Sequence, residues 1–147
     1  MMLTQSVGLP TRDRRPDSAG NAFTYSGSAW SAPRHLAATA MLGVSCPTAG
    51  FCMAAGMTTP YAYSGGKWSP SGPLVTADGG PVHLTSVSCA TDSSCTATGN
   101  ADGYAYSGGS WAKGVVVHHS HKLTSVSCAS VGFCVAGDSG GNVYTYK

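Results

Sequence analysis

LTSVSCATDSSCTATGNADGYAYSGGSW, running from Leu84 to Trp111, is the stretch that decides the fold. In LTSVSC, Leu84, Ser86 and Ser88 point one way and Thr85, Val87 and Cys89 the other, the period-2 alternation of a strand. A second strand begins around Cys95. A third carries Tyr104 and Tyr106, whose spacing places both rings on one face of a sheet. Ser107, Gly108 and Gly109 can take the positive φ angles of a tight hairpin, and a fourth strand then opens at Trp111. This is one antiparallel unit with its turns in place.

The same string recurs at both ends of this unit. VSCPTAGFCMAAG starts at Val44 and SVSCASVGFCVAG at Ser125. In all three copies five residues separate the paired cysteines: Cys46 and Cys52, Cys89 and Cys95, Cys128 and Cys134. Tyr63 and Tyr106 stand 17 positions after the first cysteine of their unit and Tyr146 stands 18 after, each closing a Tyr-x-Tyr pair. Trp68 and Trp111 lie 22 positions past that cysteine. A partial copy precedes them, since DSAGNAFTYSGSAW from Asp17 aligns with DSGGNVYTYK from Asp138, and LTQSVGLPT from Leu3 weakly echoes LTSVSC. All 13 aromatic residues fall at repeat positions, with Phe23 in a tyrosine slot and Phe51 and Phe133 just before a cysteine.

Four antiparallel strands in about 40 residues match the size and order of a propeller blade. The expected fold is therefore all-β and β-propeller-like, with about three to four four-stranded blades per chain and one cysteine pair in each blade's first hairpin. Residues 1–20 are expected to form an N-terminal tail or degenerate half blade, and 21–147 the repeat domain. Within it we expect a partial blade over 21–36, full blades over 37–78 and 79–120, and an incomplete blade over 121–147. Closed propellers usually need about four to eight blades, and an open one exposes strand edges and faces. This points to a fragment of a longer chain or to a homo-oligomer, ahead of SAWSAPRHL from Ser28 closing a ring within one chain.

The cysteine spacing suits a disulfide across the first hairpin, because residues facing each other in an antiparallel ladder lie within bridging range. Zinc is the rival reading. Structural zinc sites gather four ligands, commonly spaced about two to four residues apart, whereas each pair here belongs to its own unit. Six cysteines in disulfides imply an oxidising, extracellular or cell-surface setting. The first 20 residues do not read as a secretory signal: Leu3 to Leu9 is short and polar, and the arginines follow it. A misplaced start or a fragment is the favoured explanation, with a mature form or another export route behind it.

Bulk composition excludes other classes. Only 10% of the 147 residues are charged, against about a quarter in a typical soluble domain. The net charge of +2 gives no reason to expect nucleic acid, and no apolar run approaches the roughly 18 residues that a membrane span needs. All six acidic residues are Asp and none is Glu.

SVSC, FCVA, NVYTY and the YSGG that precedes a tryptophan resemble the repeats of secreted bacterial proteins of largely unassigned function. The blade layout is similar to that of fucose-binding propeller lectins, in which short chains of two blades assemble into a ring. The resemblance covers about residues 17–147 and implies a propeller that binds sugars. In those lectins an Arg on the second strand and a Glu on the third grip fucose. Here neither is present, so fucose specificity does not carry over. The sialidase comparison would require an arginine triad and a tyrosine nucleophile with a Glu partner; this chain has four arginines, three of them crowded at Arg12, Arg14 and Arg15. TADGGPVH from Thr76 also departs from the sialidase Asp-box, ending in His83 rather than an aromatic.

Trp30, Trp68 and Trp111 carry the functional expectation, because indole faces stack on sugar rings and a site in every blade would give avidity. Tyr63, Tyr106 and His83 complete this ligand-binding set. The alternative is that these rings pack between blades. His118, His119 and His121 form the one cluster with metal-ligand chemistry, His119 and His121 sharing a face if the segment is extended. A solvated loop explains them as well, and no metal and no cofactor is assigned. Asp78, Asp102 and Asp138 read as turn residues, and RDRR from Arg12 as a solvated tail. No nucleophile motif or phosphate loop is found. The leading expectation is a non-catalytic carbohydrate-binding module. A protein-interaction or structural repeat of a larger surface protein is the alternative, and a glycoside hydrolase is third because the paired carboxylates such enzymes use are missing.

Overall fold

The computed structural model describes residues 4–7, 19–25 and 27–147; RDRR, at 12–15, lies outside them. Every regular element described is a strand, and the strands form four antiparallel sheets in chain order. The first holds β1 (Thr4–Val7), β2 (Asn21–Tyr25) and β3 (Arg34–His35). The second is β4 (Met41–Thr48), β5 (Phe51–Gly56), β6 (Pro60–Ser64) and β7 (Lys67–Pro70), paired in that order. The third is β8 (Ser86–Thr91), β9 (Ser94–Gly99), β10 (Asp102–Ser107) and β11 (Ser110–Trp111), with β12 (Val115–Val116) also pairing β10. β13 (Leu123–Ser130), β14 (Phe133–Asp138) and β15 (Val143–Tyr146) make the fourth. No helix is long and apolar enough to cross a membrane.

The repeated residues account for this architecture one by one. Cys46–Cys52, Cys89–Cys95 and Cys128–Cys134 are disulfides with Cα–Cα distances of 4.1, 3.9 and 4.0 Å. Cys89 and Cys95 face each other directly across the β8–β9 ladder, as Cys128 and Cys134 do across β13–β14. Each loop is short, so each bridge contributes about 2 kcal/mol in the chain-entropy account. The Gly-Gly turns behave as their composition predicts: φ is +59° and +79° at Gly65 and Gly66, and +56° and +102° at Gly108 and Gly109. Only glycine takes such angles without strain.

The serines of SVSC join one sheet to the next. Ser45 Oγ accepts a hydrogen bond from Cys89 N at 2.9 Å, and Ser88 Oγ accepts one from Cys128 N at 2.9 Å. Ser86 Oγ accepts from Val126 N at 3.3 Å, and Thr85 Oγ1 donates to the Leu123 carbonyl at 2.8 Å. The first strands β4, β8 and β13 thus run side by side, β4 and β8 each offering serine oxygens to backbone N–H groups of the next. The leucines repeat a backbone link as well, with Leu84 N donating to Met57 O and Leu123 N to Asn100 O.

The core lies between the second and third sheets. Phe51, Met53 and Ala55 alternate along β5 and meet Leu84, Val87, Ala97, Tyr104 and Tyr106 of the third sheet. The Phe51 and Tyr106 rings stack 6.4 Å apart. All six residues of β5 are buried, because this sheet has a neighbour on either side. The N-terminal echo of LTSVSC does not act as a first strand. β1 pairs directly with the tyrosine-bearing β2, the place held by β5 beside β6 and by β9 beside β10.

Candidate functional site

The three tryptophans sit in cross-strand pairs with the tyrosines that precede them. Tyr63 faces Trp68 and Tyr106 faces Trp111 across their hairpins, and Tyr25 bridges Trp30. The ring centroids are 5.5, 5.2 and 5.1 Å apart and tilted, a favourable aromatic geometry. The three indoles are not equivalent in their surroundings. Trp111 packs on the inter-sheet core and its Nε1 donates to Ser71 Oγ at 3.3 Å. Trp68 is half-buried, and Trp30 is 51% exposed. Tyr106, only 9% exposed, belongs to the core and has no face to offer a ligand; Tyr63 is half-buried. His83 is exposed on the connector before β8, and none of its side-chain atoms bonds to these rings among the described residues.

A different place gathers shape and chemistry. A cleft of about 410 Å³ opens between the third and fourth sheets. Thr96, Thr98 and Ala105 line one wall, and Val126, Ala136 and Tyr146 the other. Its origin is a change of residue size at equivalent repeat positions. β5 fills the preceding gap with Phe51, Met53 and Ala55, whereas β9 presents Ser94, Thr96 and Thr98 at those slots. Ser94 and Thr96 are smaller than Phe51 and Met53 and leave the space open, and the threonine hydroxyls put polar groups in an otherwise apolar wall. Thr96 Oγ1 lies 3.4 Å from Cys134 Sγ, and Thr98 Oγ1 lies 3.1 Å from Thr85 Oγ1. Lys113 supplies a cation at the rim.

At one end of the cleft Tyr144 links it to a polar cluster. Tyr144 donates its hydroxyl to Asp138 Oδ2 at 2.8 Å. The same carboxylate accepts from Gly140 N and Asn142 N at 2.9 Å through Oδ1, and from Asn142 Nδ2 at 3.0 Å through Oδ2. Burial alone would raise the Asp138 carboxyl, but the bonds from Asn142, Tyr144 and Gly140 outweigh it and hold the group well below the usual carboxylate range. Burial, and then the bond to Asp138, raises the Tyr144 phenol. His121 Nδ1 stands 4.0 Å from Asp138 Oδ2, and the rings of His118 and His121 stack at 5.4 Å. His118 also lies 5.7 Å from the Tyr144 ring. His118, not His119, is thus the partner of His121, because the segment bends after β12 instead of staying extended. The third sheet holds a parallel pair: Asp102 Oδ2 accepts from Ala77 N at 2.8 Å, and burial followed by the Asp102 charge pushes the Tyr104 phenol up to about 12.

No family model matches the sequence, and no curated protein matches it either. Solved structures do match the arrangement of sheets. YCF48 from Cyanidioschyzon merolae superposes with a TM-score of 0.67 at 10% identity, over 89% of this chain and 45% of that one. A structure of YCF48 bound to D1 peptide gives 0.62 at 14% identity, over 100% of this chain and 42% of that one. The fold is that of a β-propeller. The chain spans less than half the length of these neighbours. As propeller blades, the sheets place the cleft and the His–Asp cluster between successive blades. Sequence reading missed the cleft, although the replacement of Met53 by Thr96 in aligned repeats was its visible trace.

Proposed function

We propose that this chain is a non-catalytic, protein-binding propeller module that holds an apolar peptide segment in the cleft between its third and fourth sheets. The observation that carries this reading is the cleft itself, with apolar walls and a few hydroxyl and amino groups to orient a ligand. A propeller of this fold bound to a peptide is in keeping with it. The carboxylates in these sheets also speak for binding over catalysis. Asp78 and Asp138 each anchor a turn, and Asp102 holds the Ala77 backbone. Three disulfides favour an extracellular or cell-surface site of action. Exposed Phe133 on the fourth sheet and half-buried Tyr25 on the first suit a ring completed by further blades, from a second copy or from a longer chain.

The test is selection of peptides from a displayed library on the disulfide-paired protein. Peptides with clustered apolar side chains are expected. Ala105→Arg, which puts a charge into the cleft from an exposed position, should weaken them at least about tenfold, or about 1.4 kcal/mol. Selection of no peptide, or undiminished binding to Ala105→Arg, removes the reading. A carbohydrate role rests on the exposed indole of Trp30, and glycan binding abolished by Trp30→Ala would put that reading first.

A further inference from the structure

We infer that His118, His121 and Asp138 form a three-ligand site for a borderline divalent cation, represented by zinc, that fastens the connector between the third and fourth blades. One potential ligand atom from each residue lies within 4.8 Å of the others. Two imidazoles and one carboxylate suit zinc and its neighbours and exclude the all-oxygen shells of calcium and magnesium. Such a set matches the three protein ligands of open zinc sites, with the fourth position left to water.

The site pairs a buried, oriented carboxylate with accessible imidazoles. Asp138 is the fixed ligand. Its side chain is fully buried, and donors from Gly140, Asn142 and Tyr144 orient it as outer residues orient metal ligands. His121 is the accessible one, with 42% of its side chain exposed. Its Nδ1 stands 4.0 Å from Asp138 Oδ2, too far for a hydrogen bond. A tetrahedral ion about 2.1 Å from each atom would draw them to about 3.4 Å. Gly140 makes room for this ring, because a Cβ there would meet three of its atoms at 2.8–2.9 Å. His118 Nδ1 accepts only a long, exposed bond of 3.3 Å from Ser120 N. Ligation through either nitrogen gives up that bond, by using the Nδ1 lone pair or by moving the ring proton to Nδ1. The aligned position in the other two cysteine-bearing blades is Gly56 or Gly99, so the site is particular to the last blade.

Zinc is titrated into tag-free, disulfide-paired, metal-free protein against a chromophoric chelator, with hydrogen exchange of residues 117–122 as a second readout. One equivalent should bind per chain and slow exchange in that segment. His118→Asn and His121→Asn should each weaken binding at least about tenfold. Gly140→Ala should weaken it without removing any ligand. His119→Asn and His83→Asn should leave it unchanged. Equal affinity in His118→Asn and His121→Asn, loss in His119→Asn, or no slowing of exchange would overturn the assignment. Asp138→Asn disturbs a buried anchor, so the variants of half-buried His118 and exposed His121 decide the matter if it fails to fold.

Discussion

Ser88 and Ser127 occupy the same place in the SVSC motif, yet only one of them has a successor to bind. Ser88 Oγ takes the Cys128 N–H at 2.9 Å, while Ser127 is exposed and has no such partner among the described residues. Ser88→Ala strands a partly buried donor and should cost about 1 to 3 kcal/mol in urea unfolding. Ser127→Ala should stay within about 0.5 kcal/mol. Equal effects would mean that the motif serine acts within its own strand. Tyr104 gives a second residue-scale prediction. Its folded phenol is raised to about 12, first by burial and then by Asp102, whereas an unfolded tyrosine titrates near 10. Its contribution to stability is therefore intact below about pH 10 and is lost as pH rises through about 12. Ultraviolet titration should find one tyrosine ionising near that value, absent in Tyr104→Phe.

At the scale of the strand, β5 and β9 differ in what they show the following sheet. Met53 and Ala55 complete a core, and Thr96 and Thr98 leave a cleft. Thr96→Met should restore the side chain that the preceding blade uses, raising stability by roughly 1 kcal/mol through added apolar burial. The same change should reduce peptide binding at least tenfold, about 1.4 kcal/mol. A stabilised variant that still binds would place the peptide elsewhere. The Tyr–Trp pairs were readable as sequence spacing, because YSGG fixes the hairpin that sets the two rings opposite each other. Their exposure was not readable. Trp111 is partly covered because a neighbouring sheet and Ser71 lie against it, and Trp30 is 51% exposed on the first sheet.

For the whole molecule, the faces at the two ends of the stack matter most. Phe51 is 8% exposed because it stacks on Tyr106 of the next sheet, while Phe133, at the same repeat position, is 39% exposed. The first sheet offers Tyr25 in the slot that Tyr106 fills. If copies associate, Phe133 of one is expected to meet Tyr25 of another in a head-to-tail contact of the kind that closes rings. Light scattering of the purified chain at tens of micromolar, a concentration suited to a modest interface of this kind, should show dimers or larger rings. Phe133→Asp should return the protein to monomers. A wild-type protein that stays monomeric there would leave completion of the ring to further blades of a longer chain.

The residues alone determined the repeat, the pairing of cysteines within each unit, the turn glycines and the all-β propeller class, while the structure decided for disulfides over zinc. Each of these rests on local geometry: two cysteines with five residues between them, paired glycines in a hairpin, rings at period 2. Only the tertiary structure decided which positions became a site. Asp138 read as a turn aspartate, and so it is, but packing of the fourth sheet against the preceding connector also brings His118 and His121 beside its carboxylate. The cleft arises in the same way, from side chains such as Thr96 and Cys134, 38 positions apart, that meet across two blades. A local pattern fixes what a strand can bury; which neighbour it meets, and what gap remains, depends on contacts that no short window of sequence contains.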